Sequence, residues 1–374
     1  MAEPLKLFIL AGEPSGDRIG ADLVERLSRH RSLQLSGVGG TALAQAGLTS
    51  LFDMQELAVM GFRDVLPRLP KLLWRARQVA QAIIRSRPDV AVLIDAQVFS
   101  AIVAAQVQRA APDLPVLLYV APAVWAWKPE RAKTLAPKFR EVLSVLPFEP
   151  AFMAGAGGPE TTYVGHPALA RFTQRAAAPG QGPLLLLPGS REGELRRHLP
   201  LMRAVAGRLA GHPRITGFRL PTPQSLARRV GSEVAGWGLP VEVVSDEPGK
   251  ARAFREAIAA AAVTGTVTLE LALAGVPMVT TYLGDSGQAK RFARYKVKFV
   301  ALPNVILDRA LVPEVLQTEP DPAPLVAELR RLLDGDATAT QLAGFARIRA
   351  LMEHGTPDAP RTDPATRILR YARD

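Results

Sequence analysis

The chain has 374 residues, of which 48% are hydrophobic and 22% charged, and that length favours two domains with substantial cores. It contains no Cys, which excludes disulfides, thiolate metal sites and a Cys nucleophile, and its five His residues show no pair at metal-ligand spacing, so we expect no metal site. The net charge of +11 suits an anionic partner, although a bias toward Arg can also be a habit of a whole genome.

The first half of the chain alternates apolar runs with amphipathic segments. The run at 5–11 is short, lacks a cationic segment before it and leads directly into a Gly-containing turn, so we predict a strand rather than a signal sequence. Near-continuous apolar runs of this kind are typical of parallel strands buried on both faces. Strands are predicted at 5–11, 33–38, 90–95, 116–120, 142–146 and 161–164, and helices near 16–29, 67–86, 98–110 and 129–138.

The second half repeats this alternation after a segment rich in Ala, Gly and Pro at 171–183, which we predict to be a linker. The pattern indicates an α/β protein with two doubly wound, Rossmann-like parallel sheets, one in each of the domains 1–170 and 184–335. Two such sheets facing each other would leave a cleft between their loops. Strands in this half are predicted at 184–187, 215–220, 241–244, 261–263 and 277–281.

A candidate anion site follows the predicted strand 184–187, in the sequence LLLLPGSREGE. The turn at Gly189 and Ser190 is followed directly by a helix start, whose free N–H groups and positive dipole end attract anions. Arg191 adds a guanidinium suited to phosphate oxygens. The alternative is an ordinary turn between a strand and a helix with a solvated Arg191.

A second turn of the same kind occurs about eighty residues later, in TGTVTLE at 264–270. It would lie at the same edge of the sheet as the first turn. There Glu270 could accept hydrogen bonds from both ribose hydroxyls of a nucleotide. The alternative is a Glu that caps the helix or compensates its dipole, with Thr266 near the cap. The two turns together favour a nucleotide site.

Acidic residues follow two predicted strands of the first half. Glu13 and Asp17 lie in the turn after the first strand, and Asp95 ends an otherwise apolar strand, where a carboxylate is costly to bury unless it is paired or used. The alternatives are structural: Asp95 as the N-cap of the next helix, Asp17 as a partner of a helix dipole and Glu13 as a turn residue.

Residues 60–77 mix apolar and basic side chains more densely than any other stretch. On a helix, Leu69 and Ala76 would belong to an inward stripe, which Leu66 and Trp74 need not share. The excess of apolar residues suits shallow insertion into an anionic membrane. The alternative is an amphipathic core helix whose basic residues extend to the solvent. No apolar run is long enough to span a bilayer.

Short motifs occur in order from about residue 5 to 320. They are AGEPSGD (11–17), ELAVMG (56–61), IDA (94–96), YVAPAVWAWKPER (119–131), LPFE (146–149), VGHP (164–167), LPGSREGE (187–194), TGTVTLE (264–270), LPN (302–304) and VPEVLQ (312–317). In this combination they closely resemble lipid-A-disaccharide synthase. The resemblance implies the GT-B fold and a C-terminal stretch, here 336–374, that returns to the N-terminal domain.

The resemblance also implies an activity and its partners. Members join UDP-2,3-diacylglucosamine to 2,3-diacylglucosamine 1-phosphate through a β(1→6) bond, release UDP, and work at the cytoplasmic face of the inner membrane. We therefore expect a UDP-sugar substrate, an acylated acceptor and an anionic membrane surface as partners. We expect no cofactor and no nucleic acid, and a homodimer is possible.

The family pattern assigns roles to individual residues of this sequence. Gly189, Ser190 and Arg191 would hold the donor diphosphate. Asp95 would be the general base for the acceptor hydroxyl. The remaining assignments are Glu13 and Asp17 to the acceptor-side loop after the first strand, Glu270 to the ribose, and Thr266 and Asn304 to the donor side.

One stretch departs from the family pattern. Where the family usually reads I-D-A-P-D-F-N, this chain reads IDAQVFS, so that Gln97, Val98 and Ser100 replace the usual residues. If the missing groups orient the base or contact the acceptor phosphate, the acceptor could differ. Alternatives are therefore another GT-B enzyme that uses UDP-GlcNAc, such as an epimerase or the peptidoglycan-lipid transferase, or a non-catalytic homologue that binds a UDP-sugar or a lipid.

Overall fold

The computed structural model describes residues 3–57, 62–126, 128–284 and 297–372, and for 62–68 it describes the backbone only. The chain divides into two compact units. The first consists of Met1–His166 together with His354–Asp374, and the second of Pro167–Glu353. Each unit contains one six-stranded parallel sheet.

The sheet of the first unit has the strand order β2-β1-β3-β4-β5-β6. Its central strands are apolar and buried along their length, because helices cover both faces of a parallel sheet. The strands are β1 (Leu5–Ala11), β2 (Leu33–Val38), β3 (Val90–Ile94), β4 (Val116–Tyr119), β5 (Glu141–Ser144) and β6 (Thr161–Tyr163).

The sheet of the second unit has the order β12-β11-β10-β7-β8-β9, which is the order of a doubly wound dinucleotide fold. Its core joins the apolar strands to helices on either face. The strands are β7 (Gly182–Leu187), β8 (Ile215–Pro221), β9 (Val241–Val244), β10 (Ala259–Val263), β11 (Met278–Leu283) and β12 (Glu314–Gln317). A short hairpin, β13 (Gly355–Thr356) and β14 (Ala359–Pro360), follows in the first unit.

The helices alternate with the strands as a doubly wound fold requires. In the part of the chain that is described, none is long and apolar enough to cross a membrane. They are α1 (Pro14–Ser28), α2 (Thr41–Gln45), α3 (Phe62–Ser86), α4 (Gln97–Ala110), α5 (Glu149–Gly155), α6 (Ala168–Arg171), α7 (Glu192–Leu209), α8 (Ala227–Val234), α9 (Glu247–Glu256), α10 (Thr266–Ala274), α11 (Leu302–Leu307), α12 (Pro322–Asp334), α13 (Ala337–His354) and α14 (Pro364–Leu369).

The predicted strands are confirmed, each with bounds within two residues of the prediction. The sequence missed β12, an edge strand whose residues are exposed or half-buried and therefore give little apolar signal. The predicted helix at 129–138 is wrong beyond Thr134, because the structure has only a 3-10 helix at Pro129–Thr134. Pro137 explains the early end, since a residue before proline avoids the helical conformation.

The inward stripe predicted for α3 is correct at Ala76 and wrong at Leu69, whose side chain is 40% exposed. Among the residues of α3 whose side chains are described, the buried ones begin at Ala76. Met60 and Gly61 of the candidate membrane segment lie outside the described residues, as do the side chains of 62–68.

The C-terminal segment of the chain is fixed to the first unit by a buried ion pair. Glu141, fully buried at the start of β5, accepts hydrogen bonds from Arg367 Nε and Tyr371 Oη, each at 2.7 Å. A buried carboxylate depends on such partners, because it is otherwise costly to remove from water. The preceding helix α13 belongs to the second unit up to Glu353.

Candidate active site

In each sheet, the candidate site residues other than Asn304 follow the two strands between which the strand order reverses. In the first unit these strands are β1 and β3, paired in register up to Ala11 and Ile94. In the second unit they are β7 and β10, paired up to Leu187 and Ala262. Ligands of open parallel sheets bind beyond the carboxyl ends of strands at such a point. The prediction that the turns near 189 and 265 meet at one edge is confirmed.

The acidic loops of the first unit are packed tightly together. A Cβ atom on Gly12 would lie 2.6 Å from the Cβ atom of Ala96, so this close approach requires a glycine. The contact brings the backbone beside Glu13, the exposed N-cap of α1, next to the turn that contains Asp95. The two acidic residues therefore lie on neighbouring loops at one edge of the sheet.

Asp95 is half-buried, and its backbone is held in an uncommon conformation. Both Asp95 and Ala96 have positive φ angles, 53° and 43°, in the left-handed region that non-glycine residues rarely adopt. The Asp95 N–H donates to Tyr119 O at 2.9 Å, and the Asp95 carbonyl accepts from Ser100 Oγ at 2.8 Å. Strained backbone held by its surroundings is often found at functional sites. The N-cap of α4 is Ala96, not Asp95.

Asp17 lies on the first turn of α1, and both of its carboxylate oxygens bind backbone N–H groups. Oδ1 accepts from Gly40 N at 2.7 Å and Leu43 N at 3.2 Å, and Oδ2 accepts from Ala42 N at 2.8 Å. The carboxylate is 5% exposed. These contacts anchor the start of α2, so the geometry favours a positioning role in the loop over direct contact with a substrate.

Sequence reasoning missed Glu149, the buried last residue of the motif LPFE. It accepts hydrogen bonds from Trp125 Nε1 at 3.3 Å and from Leu146 N at 3.1 Å. Burial raises the pKa of Glu149 to about 8, although these hydrogen bonds oppose the rise. The indole also packs edge-on against Phe148 at 5.3 Å. The Trp125 ring is therefore packed and hydrogen-bonded within the unit.

The turn after β7 has the geometry of an anion site. Gly189 has a φ angle of 111°, which glycine adopts without strain, and Arg191 is the N-cap of α7 with a side chain that is 72% exposed. In the structure, Glu194 supplies the anion: its Oε2 accepts from Ser190 N at 2.9 Å, and its Oε1 lies 3.2 Å from Arg191 Nη1.

His198 connects this helix to the end of β11. It is fully buried, its Nδ1 lies 2.8 Å from Glu194 O, and its Nε2 accepts from Leu283 N at 2.9 Å. Since a backbone N–H can only donate, the ring is neutral with its proton on Nδ1. Burial lowers the pKa of His198, which agrees with the neutral form. Sequence reasoning missed this role of His198, because it considered the His residues only as possible metal ligands.

Glu270 lies on α10 and is 8% exposed. Its Oε2 accepts from Lys250 Nζ at 2.6 Å, and its Oε1 lies 3.3 Å from Arg171 Nη1, so it is paired with two cations and is not a capping residue. The N-cap of α10 is Gly265, followed by the exposed Thr266. Arg171 also pairs with Glu247, so the first residue of the predicted linker packs within the second unit.

Asn304 is 1% exposed, and other protein groups fill its hydrogen-bonding capacity. Its Nδ2 donates to Val312 O at 2.9 Å and Glu314 Oε1 at 2.8 Å, and its Oδ1 accepts from Leu311 N and Val312 N, both at 2.8 Å. An amide offers two donors and two acceptor positions, so no further hydrogen bond is available to a ligand. The contacts favour a positioning role for Asn304.

Asn304 and Glu314 hold the start of α11, which in turn lies next to α10. The Leu302 N–H donates to Thr268 Oγ1 at 3.3 Å. The structure thus groups the helix starts of α10 and α11 in the second unit, while the acids that follow β1 and β3 are grouped in the first unit. Within the described ranges, no cluster of three or more His, Asp or Glu residues could hold a metal ion.

Two six-stranded Rossmann-like sheets, each with its polar loops at the point where strand order reverses, define an α/β protein of the GT-B class. The MurG structure from Acinetobacter baumannii has this fold. Its superposition on this chain covers 99% of each chain, with a TM-score of 0.57 at 15% identity. A family model described as lipid-A-disaccharide synthetase matches residues 7–358.

Curated relatives agree with the family match. The lipid-A-disaccharide synthase of Nitrobacter hamburgensis is 40% identical over 366 residues, covering 94% of this chain and 91% of that relative. The synthase of Bradyrhizobium diazoefficiens is 38% identical over 362 residues, covering 94% of this chain and 92% of that relative. The chain is a glycosyltransferase and belongs to the lipid-A-disaccharide synthase family.

Proposed function

We propose that the protein joins UDP-2,3-diacylglucosamine to 2,3-diacylglucosamine 1-phosphate through a β(1→6) bond and releases UDP. The observation that carries this proposal is the family match, which extends over residues 7–358 and includes the polar loops of both sheets. The charge of the connecting loops supports it, because the loops directly after β1 and β3 contain Glu13 and Asp95, whereas the loop directly after β7 contains Arg191 and no acidic residue.

On the acceptor side, we propose Asp95 as the general base. The acceptor 6-hydroxyl attacks C1 of the donor glucosamine, Asp95 takes the hydroxyl proton, and the bond between C1 and the UDP oxygen breaks with its electron pair on UDP. Attack on the face opposite to UDP inverts the configuration. The strained turn supports this role, since the hydrogen bonds of the Asp95 backbone to Tyr119 and Ser100 fix the position from which its side chain extends. Glu13 and Asp17 would shape the same loop.

On the donor side, negative charge grows on the leaving diphosphate. The turn of Gly189 and Ser190, the positive end of α7 and Arg191 are suited to stabilise it. Glu270, with its two oxygens held by Lys250 and Arg171, would accept the ribose hydroxyls. Thr266 and Asn304 would complete this side, Asn304 by positioning α11. The proposed reaction uses no cofactor, because protein groups supply the base and stabilise the leaving group.

We also propose that the first turns of α3 bind an anionic membrane surface, the inner face of the inner membrane. Leu69, Leu73 and Trp74 are 40%, 45% and 56% exposed, unusual for large apolar side chains on one stretch of helix. The basic Lys71 and Arg77 are exposed beside them. Apolar residues interleaved with basic ones favour the surface of an acidic bilayer.

Vesicle sedimentation tests this membrane proposal. Replacing Leu69, Leu73 and Trp74 together with Ser should reduce the fraction of protein that pellets with anionic vesicles, and wild-type protein should pellet less with neutral vesicles. Leu316→Ser is a matched control, because Leu316 is 45% exposed on β12 of the other unit. Equal pelleting of the triple variant would make α3 an ordinary helix with solvated apolar residues.

The reaction itself is tested by incubating the purified protein with UDP-2,3-diacylglucosamine and a panel of acylated glucosamine acceptors, followed by mass spectrometry. We expect the disaccharide 1-phosphate and UDP with 2,3-diacylglucosamine 1-phosphate. Transfer only to another acceptor would correct the substrate and would point to Val98, which is 66% exposed on the first turn of α4. A product with the mass of the donor would indicate an epimerase, and no product from any acceptor would contradict the proposal.

A further inference from the structure

The proposed diphosphate site contains an anion of its own, the carboxylate of Glu194. Its Oε2 accepts from Ser190 N at 2.9 Å, and its Oε1 lies 3.2 Å from Arg191 Nη1. These are the same two donors that the proposed function assigns to the donor diphosphate. The Glu194 side chain is 17% exposed, whereas that of Arg191 is 72% exposed, so the carboxylate lies on the inner side of this contact.

The backbone of the turn is shaped to admit this carboxylate. A Cβ atom on Gly189 would lie 2.5 Å from both Cβ and Oε2 of Glu194, so any other residue would push the side chain away. The contact also differs from an ordinary capping box, in which a Glu at the third helical position binds the N–H of the N-cap. Here the N-cap is Arg191, and Glu194 reaches one residue further out, to Ser190 N.

We propose that Glu194 occupies the diphosphate position in the donor-free enzyme and is displaced when the UDP-sugar binds, an inference that rests on the proposed function. A carboxylate and a diphosphate compete for the single Ser190 N–H proton, and their like charges beside Arg191 repel each other. Glu194 keeps the turn ordered before the donor arrives. After transfer, its return to Ser190 N and Arg191 speeds the release of UDP.

Calorimetric titration of Glu194→Gln with UDP tests this displacement. A Gln side chain keeps an oxygen that can accept from Ser190 N, but it carries no negative charge. We expect the variant to bind UDP about 10-fold more tightly than the wild type, because the competing charge is gone. Stopped-flow measurement should show slower UDP release. Thermal unfolding checks that the variant is folded.

Glu192→Gln is the matched control, since Glu192 lies on the same helical turn and pairs with Arg229. We expect it to change UDP affinity much less. Equal tightening in both variants would reduce the effect to long-range charge, and unchanged or weaker binding in Glu194→Gln would make Glu194 only a support of the turn. Either result overturns the proposed displacement. The proposed function would still stand if the wild-type protein turns over its substrates. Absence of UDP binding in every variant, with no wild-type turnover, overturns both.

Discussion

The loops that follow β1 and β3 carry carboxylates, whereas those that follow β7 and β10 carry backbone N–H groups and a guanidinium, although each pair lies at the same topological position of its sheet. The two helix starts explain part of the difference. Helix α1 begins with Pro14, which has no N–H, behind the acidic N-cap Glu13. Helix α7 begins behind Ser190, whose N–H binds an anion. Topology therefore sets where a site lies, and a few loop residues set its charge.

This opposition matches the proposed movement of charge. In an inverting transfer, a proton leaves the acceptor hydroxyl and negative charge appears on the leaving group. The acidic loops are suited to receive the proton, and the loops with N–H groups and Arg191 are suited to receive the charge. If the two loop pairs have these separate tasks, substitutions in them should separate turnover from UDP binding.

The largest expected effect is that of Asp95→Asn. An Asn cannot take the acceptor proton, so turnover should fall by about 100-fold or more, while the dissociation constant for UDP stays within a factor of about two. Steady-state kinetics and calorimetry measure the two quantities. Asp22→Asn is the control, because Asp22 is an exposed acid of the same unit that pairs with Arg26. Wild-type turnover in Asp95→Asn would remove Asp95 from the role of base.

Asp17→Asn sharpens the comparison inside the acidic loops. Its carboxylate accepts from three backbone N–H groups, and an amide would turn a donor toward one of them. We expect the free energy of unfolding to fall by about 1–3 kcal/mol in urea titrations. UDP affinity should not change. A variant with wild-type stability but strongly reduced turnover would make Asp17 a direct participant instead of an anchor of α2.

Arg191→Ala tests the loop after β7, in the second unit. Arg191 is largely exposed, so the loss of its charge-assisted hydrogen bonds should be modest, about a 10-fold weaker affinity for UDP. Arg196→Ala, an exposed residue on the same helix, should change the affinity less than about two-fold. Calorimetry that finds wild-type affinity in Arg191→Ala would contradict the assignment to the diphosphate.

The sequence predicts most of the fold because its signals are local. The buried strands are continuous apolar runs, and their ends mark the loops in which Asp95 and Arg191 occur. The errors arise where distant packing decides. Leu69 has the periodicity of a buried residue, yet its side chain is 40% exposed in the folded chain. The edge strand β12 lacks the apolar pattern of the central strands.

For the candidate site, sequence motifs mark the loops but not the partners of each residue. No local sequence pattern predicts that Asn304 forms its hydrogen bonds with Leu311, Val312 and Glu314. The pairing of Glu270 with Lys250 and Arg171 joins residues that are 20 and 99 positions apart. Such contacts are fixed only when the strands are assembled.

The smallest expected effect is a loss of stability at acid pH, which should be confined to the region around His198, where α7 meets the end of β11. Burial lowers the pKa of His198 below its ordinary value of 6.5. The unfolded chain therefore binds the proton more readily, so stability should decrease as the pH falls below about 6.5 and continue to fall until the lowered pKa is reached. Above pH 6.5 both states are neutral, and His198 adds no pH dependence.

Hydrogen exchange gives a local measurement of this loss. Protonated Nε2 can no longer accept from Leu283 N, so the protection factor at the end of β11 should fall between pH 7 and 5.5, with Arg197 adding to the cost of the positive ring. His198→Gln, which does not titrate, should remove this pH dependence, and His30→Gln, at an exposed site of the first unit, should leave it unchanged. An unchanged slope in His198→Gln would assign the acid sensitivity to another group. An equal loss of protection at β1 and β3 over the same range would show that the acid sensitivity is not local to His198.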